Sequence, residues 1–98
     1  LGTFDLVIGN PPYSLAEQFV RHALSLVCPV GRVAFLLRLS FLEGKRRGAS
    51  FWKECPLESL HVFSARPSFT GDGKSDAAAY AMFVWQRGHR GPFKGGWL

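Results

Sequence analysis

The chain has 98 residues, 47% of them apolar, with nine Phe and three Trp, which is material for one small core and leaves nothing for a second domain. Twelve Lys and Arg against seven Asp and Glu give a net charge of +5, which favours a polyanion or an acidic surface as partner. Cys28 and Cys55 are isolated, without a His cluster, and the longest apolar run, Val33 to Leu42, is broken by Arg38 and Ser40; this argues against a disulfide framework, a metal site and a membrane span, and a soluble cytoplasmic protein is expected.

The first element is a strand near 4 to 9, because Leu6, Val7 and Ile8 form a continuous apolar run of the kind that suits a parallel strand covered on both faces. It must stop at Asn10. Pro11 and Pro12 cannot donate to a ladder and fix φ near −65°, so the chain leaves the sheet in a rigid turn, and open α/β sheets bind ligands at that carboxyl end. Ser14 and Glu17 have the spacing of a capping box, and a helix near 15 to 27 follows. Leu15, Ala16, Phe19, Val20, Ala23, Leu24 and Val27 share one stripe of it, while His22 lies on the polar face. Pro29 and Gly31 end this helix. A second strand near 32 to 39 is apolar almost throughout, again reading as buried on both faces, and strand, helix and strand make a right-handed βαβ unit.

Glu43 to Gly48 is a polar loop with three consecutive cations, Lys45, Arg46 and Arg47. It leads into a short helix near 47 to 54 carrying Phe51 and Trp52. Such a run is either a solvated face or a phosphate contact, and Arg38, near the end of its strand, either faces the cleft and contacts a phosphate or pairs with an acidic neighbour. A third strand lies near 59 to 64, with His61 accommodated in the sheet. Residues 65 to 76 form a polar loop, and a strand near 77 to 87 is apolar on both faces. The tail, 89 to 98, is Gly-rich and basic. Little regular structure is expected there beyond Trp97 packing onto the sheet.

Asn10-Pro11-Pro12-Tyr13 after an apolar strand resembles the catalytic motif of the S-adenosylmethionine-dependent amino-methyltransferases that act on the exocyclic amine of adenine in DNA. The likeness runs from about Thr3 to Gly88 and is closest to phage and restriction-associated adenine-N6 enzymes, of which it covers the carboxyl-terminal half of the catalytic domain. The resemblance implies an α/β fold, a partial class I methyltransferase (Rossmann-like) layered sheet in the order first, second, fourth, third strand, with the last strand antiparallel. It also implies S-adenosyl-L-methionine as cofactor and DNA as partner.

By the same resemblance the Asn10 side-chain oxygen and the Pro11 carbonyl accept from the amine, the Pro11 and Pro12 turn holds them, and Tyr13 and Phe69 stack on an extruded base. Asn10 also touches the methyl-bearing end of the cofactor. Lys45, Arg46, Arg47, Arg66 and Lys74 are the candidate phosphate contacts, and no metal is implied. The family's glycine-rich turn and acidic residue for the cofactor do not precede Asp5. Leu1 in place of Met suggests a processed product or an excised piece of something longer, and the first strand is then expected to be a free edge, open to an amino-terminal half or to self-association. A non-catalytic DNA-binding remnant, or a piece of a protein-glutamine or RNA methyltransferase, remain open alternatives.

Overall fold

The computed structural model describes residues 2–64 and 79–98. The described residues form a five-stranded sheet in the order β1-β2-β4-β3-β5. β1 (Phe4–Gly9) pairs parallel with β2 (Val27–Arg38), with α1 (Ala16–Leu26) as the crossover. β4 (Tyr80–Gln86) runs antiparallel between β2 and β3 (Ser59–Val62). The first four strands therefore have the expected order and direction.

The fifth strand corrects the reading of the tail. β5 (Lys94–Trp97) adds parallel to β3, with Lys94 N–H donating to the Glu58 carbonyl at 3.0 Å and Leu98 N–H to Val62 at 2.8 Å. Gly95 and Gly96 have no side chains to form a pattern, so only backbone pairing makes this a strand. Trp97 does not pack onto the sheet; its side chain is 77% exposed.

The core lies on one face, where Ala16, Val20 and Ala23 of α1 meet Val33, Phe35 and Leu37 of β2. Phe41 is fully buried at its centre. Edge contacts with Tyr13, Phe51, Trp52, Phe83 and Trp85 surround it at centroid separations of 5.6 to 6.4 Å, the geometry ring quadrupoles favour. The Trp85 indole N–H is satisfied by the Cys55 carbonyl at 3.1 Å. Burial pushes the Cys55 thiol pKa up, which makes it an inert core group, and both cysteines are free.

The opposite face departs from the expectation of burial on both sides. Phe4, Leu6 and Ile8 of β1 are 57%, 53% and 66% exposed, because among the described residues no helix layer covers them. β2 begins earlier than its apolar pattern suggested, at Val27, directly after α1. Its register against β1 jumps from Phe4↔Val27 to Leu6↔Arg32. Pro29 cannot donate to a ladder, and Gly31 passes so close to Val27 that a Cβ there would stand 2.5 Å from the Val27 Cβ.

The capping box does not form. Tyr13–Leu15 close a 3₁₀ turn, α1 starts at Ala16 without a side-chain cap, and Glu17 turns away to Arg47 at 2.9 Å. The second helical segment contains a π turn, Arg47–Phe51, which runs into the short α2 (Trp52–Glu54). Among the described residues no helix is long and apolar enough to cross a membrane.

Candidate active site

β1 delivers its last residue, Gly9, opposite Phe35. The next three residues leave the sheet, with Pro12 extended at φ −56° and ψ 135°. The Pro12 carbonyl then accepts from Leu15 N–H at 3.0 Å, which closes the 3₁₀ turn and sets the direction of Tyr13. Pro11 is buried while Asn10 and Pro12 are exposed, so one proline anchors the turn and the amide stands free of it. Neither the Asn10 side chain nor the Pro11 carbonyl has a hydrogen-bond partner among the described residues. An amide and a carbonyl without partners among the described residues therefore stand at the carboxyl end of a parallel strand.

These residues line a recess of about 180 Å³ together with Tyr13, Leu37, Arg38 and Tyr80. Tyr13 is held on three sides. Its ring meets the edge of Phe41 at 6.0 Å, its hydroxyl lies 3.4 Å from Ser40 Oγ, and the Arg38 guanidinium sits 5.8 Å from its centroid. A cation over an aromatic face restrains both groups, so Tyr13 is a fixed ring with 38% of its surface still open. Sequence reasoning missed Tyr80 here. The signal was topological: β4 is antiparallel, so its first residue arrives at the end of the sheet where β1 and β2 finish.

The basic run separates into two kinds of residue. Lys45 and Arg46 are exposed at the start of the second helical segment. Arg47 is not available as a phosphate contact: its guanidinium is paired with Glu17 at 2.9 Å, donates to the Phe41 and Glu43 carbonyls at 3.1 and 2.7 Å, and lies 4.2 Å from the Phe41 centroid. It ties α1 to the aromatic core instead. Arg66, Phe69 and Lys74 lie outside the described residues, as does the start of the strand expected from 77.

A second, larger groove of about 410 Å³ runs between α1 and the free edge of β1, lined by Val7, Gly9, Phe19, His22, Ala23 and Phe35. Asn10, Pro11 and Pro12 close one end of it. A nucleoside-bearing cofactor with an amino acid zwitterion needs polar groups to hold its ribose and its charges, and this lining is apolar apart from Asn10 and His22. The described residues therefore fit the reacting end of such a cofactor and not the remainder. Among them no cluster of His, Cys, Asp and Glu forms a metal site.

No protein-family model and no curated protein matches the sequence. Solved structures do match in fold. A protein from Agrobacterium tumefaciens described as a predicted O-methyltransferase superposes with a TM-score of 0.66 at 20% identity, over 96% of this chain and 41% of its own. The M protein of the type I restriction enzyme EcoKI gives 0.64 at 16% identity, over 91% and 22%. A protein from Listeria monocytogenes described as a class I S-adenosylmethionine-dependent methyltransferase gives 0.68 at 13% identity, over 100% and 38%. At these identities the likeness is one of fold. The chain has the mixed α/β sheet of class I methyltransferases and spans less than half the length of each of these structures.

Proposed function

We propose that the chain carries the amine-binding half of a class I methyltransferase active site, and that the amine is the exocyclic amine of adenine in DNA. One observation carries the reading: Asn10 and Pro11 present two unpartnered acceptors at the carboxyl end of β1, beside the fixed ring of Tyr13. When bound, S-adenosylmethionine supplies an electrophilic methyl group. The amine is a weak nucleophile because its lone pair is delocalised into the purine. Two acceptors on its protons draw the nitrogen toward tetrahedral geometry and free that lone pair. As positive charge develops on nitrogen the same two contacts strengthen, which is stabilisation of the transition state beyond that of the substrate.

A base reaches this recess only after leaving the duplex. Tyr13 offers it a face, and Phe69, outside the described residues, is assigned the second face in this reading. Lys45 and Arg46 contact phosphates, with Arg66 and Lys74 from the segment outside the described residues, and Arg47 is withdrawn from that set by its own partners. Cofactor affinity requires groups placed against the free edge of β1, which an amino-terminal methyltransferase half would supply.

The test is transfer of labelled methyl by the chain supplemented with such a half, offered adenine-containing duplex DNA, structured RNA and glutamine-bearing protein in turn. Label in DNA adenine that disappears with Asn10→Ala supports the proposal. Label in RNA or protein alone moves the substrate to that class, and no label in any of them reduces the chain to a binding remnant.

A further inference from the structure

The end of the sheet opposite Asn10 has its own polar recess, of about 270 Å³. β4 runs antiparallel, so the residues after it emerge there: Gly88 takes φ +89°, and His89 N–H returns to the Gln86 carbonyl at 3.0 Å. Only glycine adopts that third turn position without strain. The turn brings Arg87, His89 and Arg90 to one cavity with Glu54, Cys55 and Trp85.

Both arginines are anchored, and among the described residues neither is paired with an acid. Arg87 Nη1 donates to the Val27 carbonyl at 2.7 Å, and Arg90 Nη1 to the Lys53 carbonyl at 3.2 Å. A guanidinium carries five N–H donors in a rigid fork, so most of each fork is unspent. The neighbouring carboxylates are committed elsewhere: Glu54 to Arg21 at 2.6 Å, and Glu58 to Arg32 at 2.7 and 2.9 Å. In the same lining the His89 Nε2 is buried with no hydrogen-bond partner among the described residues. A solvated arginine on an open surface is free to move and is surrounded by water. Here two forks are fixed by backbone carbonyls at the rim of a concavity, with an unsatisfied ring nitrogen alongside.

We infer that this recess is an anion site that takes a phosphate group on the Arg87 and Arg90 forks. Phosphate matches the fork geometry, and the unspent donors meet its oxygens in the way charge-assisted hydrogen bonds require. The site is separate from the Asn10 turn and does not rest on the methyl-transfer reading.

The test is a titration of the ¹⁵N-labelled chain with sodium phosphate against sodium chloride at matched ionic strength and fixed pH, followed at the Arg87 and Arg90 Nε–H resonances and the His89 ring. Saturable shifts with phosphate are expected, and affinity should fall about tenfold in Arg90→Gln, the loss of one charge-assisted partner. Arg90 is exposed, so this variant stays folded where Arg87→Gln loosens the Val27 corner. Oligonucleotides with and without a 5′-phosphate identify the source. Equal response to both assigns the backbone diester, response to the phosphorylated one alone assigns a terminal phosphate, and response only to inorganic phosphate assigns a free anion. Shifts that follow ionic strength alone, or an Arg90→Gln chain that binds phosphate as tightly as the native one, overturn the inference.

Discussion

The two edges of the sheet are built on opposite terms. β5 is four residues long, carries Lys94 and two glycines, exposes every side chain and is held to β3 by backbone bonds. Short length and a lysine are how natural sheets discourage further pairing. β1 is longer and presents Phe4, Leu6 and Ile8 to solvent on one face, with an apolar groove beside α1 on the other. One edge is closed by a short, charged strand, and the other leaves apolar side chains in the open. The candidate site sits at the end of the second of these strands, so under the proposed function its cofactor contacts depend on what is placed against β1.

The largest expected effect tests whether the two edges share one core. Phe41 joins the ring of the acceptor turn to the aromatic cluster under β4. Phe41→Ala should cost about 3 to 5 kcal/mol, the usual loss for a buried aromatic ring, and hydrogen exchange in β1 and β5 should accelerate together. Protection that survives at β5 alone would divide the molecule into two independent edges.

Next in size is the site itself. Asn10→Ala, in the supplemented chain, should remove about 2 to 4 kcal/mol of transition-state stabilisation, as loss of one preorganised polar group does. It should appear in kcat and leave DNA affinity nearly unchanged. Because Asn10 is exposed and its side chain bonds to nothing described, folding should be unaffected. Near-normal turnover would remove Asn10 from the mechanism.

How legible this was in the sequence depends on where each feature's information resides. β1, β2 and β4 announce themselves through continuous apolar runs, α1 through its periodic apolar stripe, and the Asn10 turn through two adjacent prolines, so these were readable locally. β5 was not, since Gly95 and Gly96 leave only the backbone to define it. The Ser14 and Glu17 pair read as a cap, but Pro12 starts a 3₁₀ turn two residues earlier and Arg47 claims the carboxylate. Lys45, Arg46 and Arg47 were indistinguishable as letters; only the fold shows that the third faces inward. Tyr80 joins Arg38 and Asn10 through the antiparallel register of β4, a relation no local window contains.

A charge placed on each edge distinguishes the two. Ile8→Lys puts an ammonium on the open face of β1, and should weaken any pairing there by about tenfold, since a charge carried into an apolar contact costs on the order of 1 to 3 kcal/mol. Trp97→Lys, the matching change at β5, should leave association unchanged because that edge pairs with nothing further. Sedimentation of the two variants over a concentration series measures this. Equal behaviour would mean that exposure of apolar side chains, and not the identity of the edge, governs assembly.

The smallest expected effect lies at the foot of the closed edge. Glu58 begins the approach to β3, and its carbonyl receives Lys94 N–H from β5. Its carboxylate forms a two-pronged bond with Arg32 at the start of the regular β1 and β2 pairing, at 2.7 and 2.9 Å. That hydrogen bond holds the Glu58 pKa below the ordinary glutamate value, outweighing the partial burial that pushes the other way. A carboxyl whose folded pKa is depressed contributes stability that is fully present above its unfolded pKa, and the contribution is lost as pH falls through the folded value. The Arg32 pKa is raised by the same bond, but it titrates far above this range and adds nothing to the acid limb. Glu58→Gln should therefore lower the urea midpoint slightly at pH 7 and flatten its decline below about pH 4, where an ordinary glutamate begins to protonate. Because Arg32 is half exposed, water and salt screen the pair, and the effect should shrink further at high ionic strength. A midpoint that falls equally steeply with acid in both proteins would mean that the backbone bonds of β5, and not this ion pair, fasten the closed edge.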